Sequence, residues 1–346
     1  MPTLHVQKLT QFTEAVFCAC GASAMEAAIV AEHLVTSNLM GIPSHGLMRI
    51  PQYIKGIKDG EIRLGAPTSV VAEAGATLVV DCGWNFGQVG AQRAIEIGIE
   101  KTRQYHTAYV LTRRCGHAGR LGAFTQFAAE KGFLAIAVGR ASCLGHYVLP
   151  WGGREPRLGT NPISFAIPTD FGFPILSDFS TCTAPEGKIR VYRDEGKLLP
   201  PDWITDAEGQ PTSDPADFYG PPRGAILPFG GELGYRGYAL SILVECLGGT
   251  LGGEDITVGV PGTGVSFIII DVEALLPRSR FNQLVGQIRH YLKSAPPANG
   301  FTEVQLPGEP EFRLAQARRR DGIPVDDKVW VQICDSARSV GIAWTN

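Results

Sequence analysis

Apolar residues recur every three or four positions across residues 9–20, with Phe12, Ala15, Val16 and Ala19 on one stripe and Gly21 as a stop. This spacing predicts an amphipathic helix. A second helix is predicted from Ser23 to about Met40, because the Ser23 hydroxyl and Glu26 have the spacing of a capping box ahead of Ala27, Ile29, Val30, Leu34 and Val35. A third helix follows over 49–58 and closes at Asp59-Gly60. The pattern then predicts a strand at 76–81, a helix at 87–103, a strand at 107–111, a helix reaching Glu130 and a strand at 134–138. The last strand, Gly-rich turn, helix and strand make one βαβ-sized piece, for which parallel strands and a right-handed crossover are expected.

Further on, 163–167 and 174–176 predict two strands around a turn at Asp170-Phe171-Gly172. Residues 184–231 are rich in Pro, Gly and Asp with little periodicity, and are expected to form a long ordered loop over a site. A buried helix is predicted at 237–247 with Gly248-Gly249 as its stop, then a β-branched strand at 265–271 and a helix at 278–292. Helical segments near 313–321 and 326–340 end the chain, which contains no internal repeat. The alternation of strands and helices predicts an α/β fold.

The 346 residues are 44% hydrophobic and 19% charged, which argues for a large folded core rather than disorder. The 34 acidic and 31 basic residues are mixed, so nothing electrostatic points to nucleic acid. Eight scattered cysteines show no paired spacing and predict reduced thiols. No apolar stretch has the length of a membrane span, and the start has no signal-peptide pattern, so a cytoplasmic protein is expected.

Candidate chemistry concentrates in Gly41-Ile42-Pro43-Ser44-His45-Gly46-Leu47-Met48-Arg49. An imidazole exchanges a proton near neutral pH, and a guanidinium four residues on can clamp a carboxylate. Together they suit proton transfer beside a carboxylate, as in 2-oxo acid reduction; Ser44 as a helix cap and Arg49 on a solvated face account for the same letters. Gly116, Gly119 and Gly122 precede a helix whose free amides favour a phosphate, or simply allow a tight turn; His117 among them is either a ligand contact or core. Nowhere is there a GxGxxG fingerprint, an HExxH or CxxC metal pattern, or a GxSxG elbow. Asp178, at a strand end, either orients a histidine or caps the strand.

Ser44-His45-Gly46 with Arg49, Gly116-His117 with Gly119 and Gly122, Gly152-Gly153, Gly159-Thr160-Asn161-Pro162 and Asp178-Phe179-Ser180-Thr181 occur in that order. They are followed by Gly234-Tyr235-Arg236-Gly237-Tyr238-Ala239-Leu240, Glu245 and Leu306-Pro307-Gly308-Glu309. Over nearly its whole length the chain thus resembles the malate/L-lactate dehydrogenase-like family, also called sulfolactate-dehydrogenase-like. Arg120-Leu121-Gly122 and Gly322-Ile323-Pro324 bring it nearest the hydroxycarboxylate dehydrogenases.

The resemblance implies a non-Rossmann mixed-sheet cofactor domain over 116–277, and a helical substrate and dimerisation domain from 1–115 with 278–346. It implies a homodimer that moves hydride between a nicotinamide cofactor, NAD with NADP left open, and a small 2-oxo or 2-hydroxy carboxylate; the missing metal motifs predict no metal. His45 would carry the proton, with Ser44 and Asp178 polarising it; Arg49 would hold the carboxylate, and His117 and Thr160 would line the substrate pocket. His117, Gly119, Arg120, Leu121, Asp178, Ser180, Thr181, Arg236, Pro307, Gly308 and Glu309 would contact the cofactor. The alternatives are reduction of a cyclic imine carboxylate, a silent metabolite binder and, last, a metal hydrolase.

The chain departs from the family pattern around this site. Arg236 replaces a lysine, Ser180-Thr181-Cys182 replaces Ala-Thr-Ser, Gly139-Arg140-Ala141-Ser142 lacks a customary Asn, and Pro185 interrupts a small, flexible stretch. Arg113, Arg114, Arg120 and Arg140 are candidates for a cofactor 2′-phosphate, although arginines at helix ends are usually solvated.

Overall fold

The computed structural model describes residues 2–141, 145–253, 256–257 and 263–345; Ser142 and Cys143 lie outside the described residues. A two-residue strand β1 (Thr3–Leu4) leads into α1 (Val6–Ala19), α2 (Ala24–Leu39) and α3 (Ile50–Lys58). The capping box forms: Ser23 Oγ accepts the Glu26 amide at 3.3 Å, and Glu26 accepts the Ser23 amide at 2.9 Å.

Next come β2 (Ser69–Ala74), β3 (Thr77–Asp81), α4 (Gly87–Tyr105), β4 (Thr107–Arg113), α5 (Gly122–Glu130), β5 (Phe133–Ala141), β6 (Ile163–Ile167) and β7 (Ile175–Phe179). A smaller set follows: α6 (Glu186–Asp194), β8 (Ile204–Thr205), β9 (Pro211–Thr212), α7 (Pro215–Tyr219) and β10 (Ala225–Ile226). The chain closes with α8 (Tyr235–Gly248), β11 (Thr263–Asp271), α9 (Arg278–Lys293), α10 (Glu309–Asp321), β12 (Ile323–Pro324) and α11 (Asp327–Arg338).

The fold is mixed α/β around a seven-stranded sheet ordered β2-β3-β4-β11-β5-β6-β7. β3 and β4 pair in parallel across α4. β4 and β5 run the same way, as the sequence pattern implies, but they do not pair: β11 lies antiparallel to both and separates them. A local pattern carries no information about a strand arriving more than a hundred residues later. The sheet also runs through residue 115, since β2–β4 are continuous with β5–β7 by way of β11.

The three largest of the apolar cores among the described residues organise the chain. One joins α1, α2, α3, α10 and α11 through residues such as Phe17, Leu34, Ile50, Ala315 and Ile333. The second lies between the sheet and α4 and α5, with Ile95, Phe124 and Phe267. The third corrects the expected loop at 184–231: Ile189, Leu199, Ile204, Phe218 and Ile226 bury a small core of their own beside a three-stranded sheet ordered β10-β8-β9. Its strands have two residues each, too short to show a period. The helix expected to be buried near 237–247 is α8, and it is buried on one side only. Gly237, Ser241, Val244 and Glu245 face inward, whereas Tyr235, Ile242 and Leu243 are exposed.

Candidate active site

Two short 3-10 turns, Pro43–His45 and Leu47–Arg49, join α2 to α3 and carry the Ser-His-Gly element. Asn38 of α2 pins them by accepting the Leu47 amide at 2.8 Å. A Cβ on Gly46 would fall 1.9 Å from that same Asn38 oxygen, so glycine is required by close approach. The turns set Ser44 Oγ 3.0 Å from His45 Nδ1. They also fold Arg49 back, so that its Nε donates to the Ser44 carbonyl at 2.7 Å and its Nη1 to Gln52 at 2.7 Å.

His117, from the turn after β4, lies parallel to His45 with ring centroids 5.7 Å apart. Its Nδ1 is 2.7 Å from the Tyr53 hydroxyl, whose oxygen accepts from Gln88 Nε2 at 2.6 Å. With that donor in place, Tyr53 has its own proton for His117. Tyr53 and Gln88 were missed by sequence reasoning. Tyr53 follows Arg49 by four residues at the start of α3, a spacing that hints at a shared face; Gln88 carries no such signal.

The turn between β4 and α5 is held by His33 of α2, whose Nε2 accepts the Arg120 amide at 2.9 Å. Gly119 sits at φ +77°, and a Cβ there would lie 2.3 Å from His33 Nε2. His33, also missed, has the sequence context of a core histidine.

These histidines are held neutral. Burial, then Arg49 and Arg120, push His45 down to about 4. Burial, then Arg120 and His45, push His33 down to about 3. His117 lies well below its ordinary range through burial, with Arg49, His45 and His33 adding to it. Asp178 at the end of β7 is pushed up by burial, against the opposing pull of the Gly122 amide, which it accepts at 2.7 Å, and of Arg120. Asp178 makes no hydrogen bond to His45 among the described residues; the side chain at His45 Nδ1 is Ser44.

Ser44, His45, Gly119, Arg120, Leu121, Thr160, Asp178 and Ser180 all line one cavity of about 350 Å³. A second, of about 600 Å³, is lined by Leu176, Phe301, Pro307, Gly308 and Glu311 among others. Ile42, Arg120 and Asp178 line both. Arg120 is 3% exposed and donates from Nη2 to Gln126 at 3.3 Å, while its Nε and Nη1 have no hydrogen-bond partner among the described residues. A buried cation with unused donors is costly unless something completes it, and a guanidinium fork matches a phosphate oxygen pair. The residues at this junction therefore fit a dinucleotide's diphosphate.

Four expected cofactor contacts line neither cavity; one is His117, which borders another cavity with Tyr53 and Gln88. Thr181 is buried and donates to the Thr160 carbonyl from Oγ1 at 3.3 Å and from its amide at 3.0 Å, which supports Thr160. Glu309 accepts Lys293 at 2.9 Å and the Leu306 amide at 3.0 Å, and also pairs with Arg313. Arg236 is exposed and lies beside Tyr235, 3.4 Å from its hydroxyl. Arg113 and Arg114 pair with Asp81 at 2.9 and 2.8 Å. Arg140 is buried and pairs with Glu245 at 2.9 Å, and Asn161 Nδ2 donates to the other Glu245 oxygen at 2.8 Å. Of the departures, Cys182 and Pro185 line the His45 cavity.

The malate/L-lactate dehydrogenase family pattern matches residues 4–334. The chain is 35% identical over 345 residues to hydroxycarboxylate dehydrogenase B of Escherichia coli, an alignment covering 97% of this chain and 94% of that one. Its structure is similar to sulfolactate dehydrogenase from Methanocaldococcus jannaschii, with TM-score 0.89, 30% identity and 99% and 98% of the two chains covered. It is also similar to delta1-piperideine-2-carboxylate reductase from Pseudomonas syringae, with TM-score 0.84, 28% identity and 97% and 100% covered.

Proposed function

The chain belongs to the malate/L-lactate dehydrogenase family, and on that premise we propose that it interconverts a small 2-oxo carboxylate and its 2-hydroxy acid with a nicotinamide cofactor. The observation that carries this reading is one cavity holding Ser44, His45 and the unsatisfied Arg120 together. Arg49, folded against the Ser44 backbone, takes the substrate carboxylate. His117 and Thr160 border the substrate; Gly119, Arg120, Leu121, Asp178, Ser180, Pro307 and Gly308 hold the cofactor along the two adjoining cavities.

A nicotinamide bound here supplies hydride to the substrate C2 in reduction and accepts it in oxidation. In reduction His45 gives its proton to the carbonyl oxygen, and in oxidation it removes the hydroxyl proton. Without ligands His45 is neutral, ready for the base role. Anions placed against Arg49 and Arg120 cancel two of the charges that drive its proton off, and so raise its affinity for the proton that reduction needs. Ser44 at Nδ1 orients the ring, and Asp178 adds a carboxylate to the same cavity.

The cofactor fold proposed is non-Rossmann: no GxGxxG is present, and the antiparallel β11 separates β4 from β5. In functional terms, 1–115 with 278–346 supply the proton carrier and the carboxylate clamp, and 116–277 most of the cofactor contacts. The homodimer is supported by the exposed Tyr235, Ile242 and Leu243 of α8, which recur on one helix face beside exposed Leu233 and Leu251. A cytoplasmic location fits the described cysteines, which are all free thiols, and no described helix is long and apolar enough to cross a membrane.

The likeness to the Pseudomonas reductase supports a second reading, in which His45 protonates the nitrogen of a cyclic imine carboxylate. Following NADH and NADPH absorbance with a panel of 2-oxo acids and cyclic imine carboxylates tests both. Oxidation with the oxo acids is expected. Oxidation with imines alone would favour the second reading, and cofactor binding without oxidation by either set would favour a silent binder.

A further inference from the structure

We propose that Glu311 makes this chain select NAD over NADP, by accepting a ribose hydroxyl where a 2′-phosphate would meet its negative charge. The inference rests on the cofactor reading above and adds to it a residue that sets the cofactor's identity.

The argument starts from the polarity of the two cavities. They share Ile42, Arg120 and Asp178, so Arg120, with two donors unused, borders both. His45 lines the 350 Å³ cavity alone, and Glu303 and Glu311 line the 600 Å³ cavity alone. A dinucleotide with its nicotinamide by His45 and its diphosphate at Arg120 puts its adenosine in the larger cavity, beside apolar Phe301, Pro307 and Pro310.

There the charges are already distributed. Glu303 pairs with Lys293 and Arg313, and Glu309 with the same two cations, giving a self-neutral group of two acids and two bases. Glu311, in the first turn of α10, has no hydrogen bond or ion pair among the described residues. Its charge is felt at Arg120, where it favours the protonated guanidinium, so the acid and the diphosphate-binding cation are electrostatic neighbours. Arg120 is the one basic residue among the described residues lining this cavity. A ribose hydroxyl donates well to a carboxylate, whereas a 2′-phosphate adds about −1.5 to −2 charge and finds no free cation. Acidic side chains at a ribose discriminate between the cofactors in the same way in other nucleotide sites.

The test is calorimetric binding of ADP-ribose and 2′-phospho-ADP-ribose to the full chain, which needs no turnover. The wild type should bind ADP-ribose at least about tenfold more tightly. Glu311→Gln, of the same shape, should bring the two within about threefold, and Glu311→Lys should favour the phosphorylated ligand. Equal binding by the wild type, or an unchanged ratio in Glu311→Gln, would overturn the inference. An unchanged ratio with a lowered Tm would assign Glu311 to the helix dipole alone. If neither ligand bound at all, the cofactor reading itself would fall, and this inference with it.

Discussion

Arg120 and Arg140 are the same residue type at nearly the same burial, 3% and 2% exposed, and sequence reasoning offered both to a cofactor phosphate. Arg140 meets Glu245 beneath α8, and that carboxylate is also held by Asn161 of the Gly-Thr-Asn-Pro element. Arg120 has its backbone fixed by His33 and keeps two donors unused at the meeting of two cavities. Burial of a charge therefore does not by itself mark a site. What separates structure from function is whether the protein completes the charge's hydrogen bonds or leaves them to a ligand.

The largest expected effect comes from acid on the Arg120 side, where His33, His45 and His117 are all held neutral. Their folded-state affinities for protons are depressed, so their contribution to stability is complete above the unfolded value near 6.5 and is lost as pH falls toward about 4. For His33 and His45 the loss should be on the order of 5 kcal/mol across that window, and His117 adds to it in the same direction. Urea unfolding between pH 7 and pH 4.5 measures it, and a flat profile would mean that these rings are not neutral and buried together.

The Arg140 side should break when one partner goes. Glu245→Ala takes from the buried Arg140 guanidinium a carboxylate that it pairs with, and should cost on the order of 3 kcal/mol, read as a lower Tm. Stability near the wild type would show that this pair is not structural. The contrasting change is Arg120→Met, which should leave Tm level or raised while weakening ADP-ribose binding by about ten- to hundredfold. If Arg120→Met instead lowered Tm as Glu245→Ala does and left binding intact, the distinction between the two arginines would collapse.

Local patterns were legible wherever they closed on themselves. The period of α1, the Ser23–Glu26 box and the Ser44-His45-Gly46 turn are set by neighbours within a few residues, and they form. β2 was missed because its six residues are all exposed and carry no alternation of burial. The insertion of β11 and the small 184–231 core depend on partners distant in sequence or on strands of two residues. In the site, Ser44, His45 and Arg49 stood out as chemistry by being adjacent. Gly119, Arg120 and Asp178 reach that cavity from far along the chain, and it was the family resemblance that associated them. Spacing alone could not show that two donors of Arg120 go unused among the described residues while Arg140 is paired, since Glu245 lies more than a hundred residues from Arg140.

The central claim is that His45 moves the proton while its neighbours hold the ligands. His45→Ala in the enzyme, assayed with the 2-oxo acid that the wild type reduces and paired with an NADH dissociation constant, tests this most directly. Turnover should fall by about 10²–10⁴-fold while NADH affinity stays within about threefold. Turnover near the wild-type rate with NADH still bound would contradict the account and move the proton to another group of the cavity.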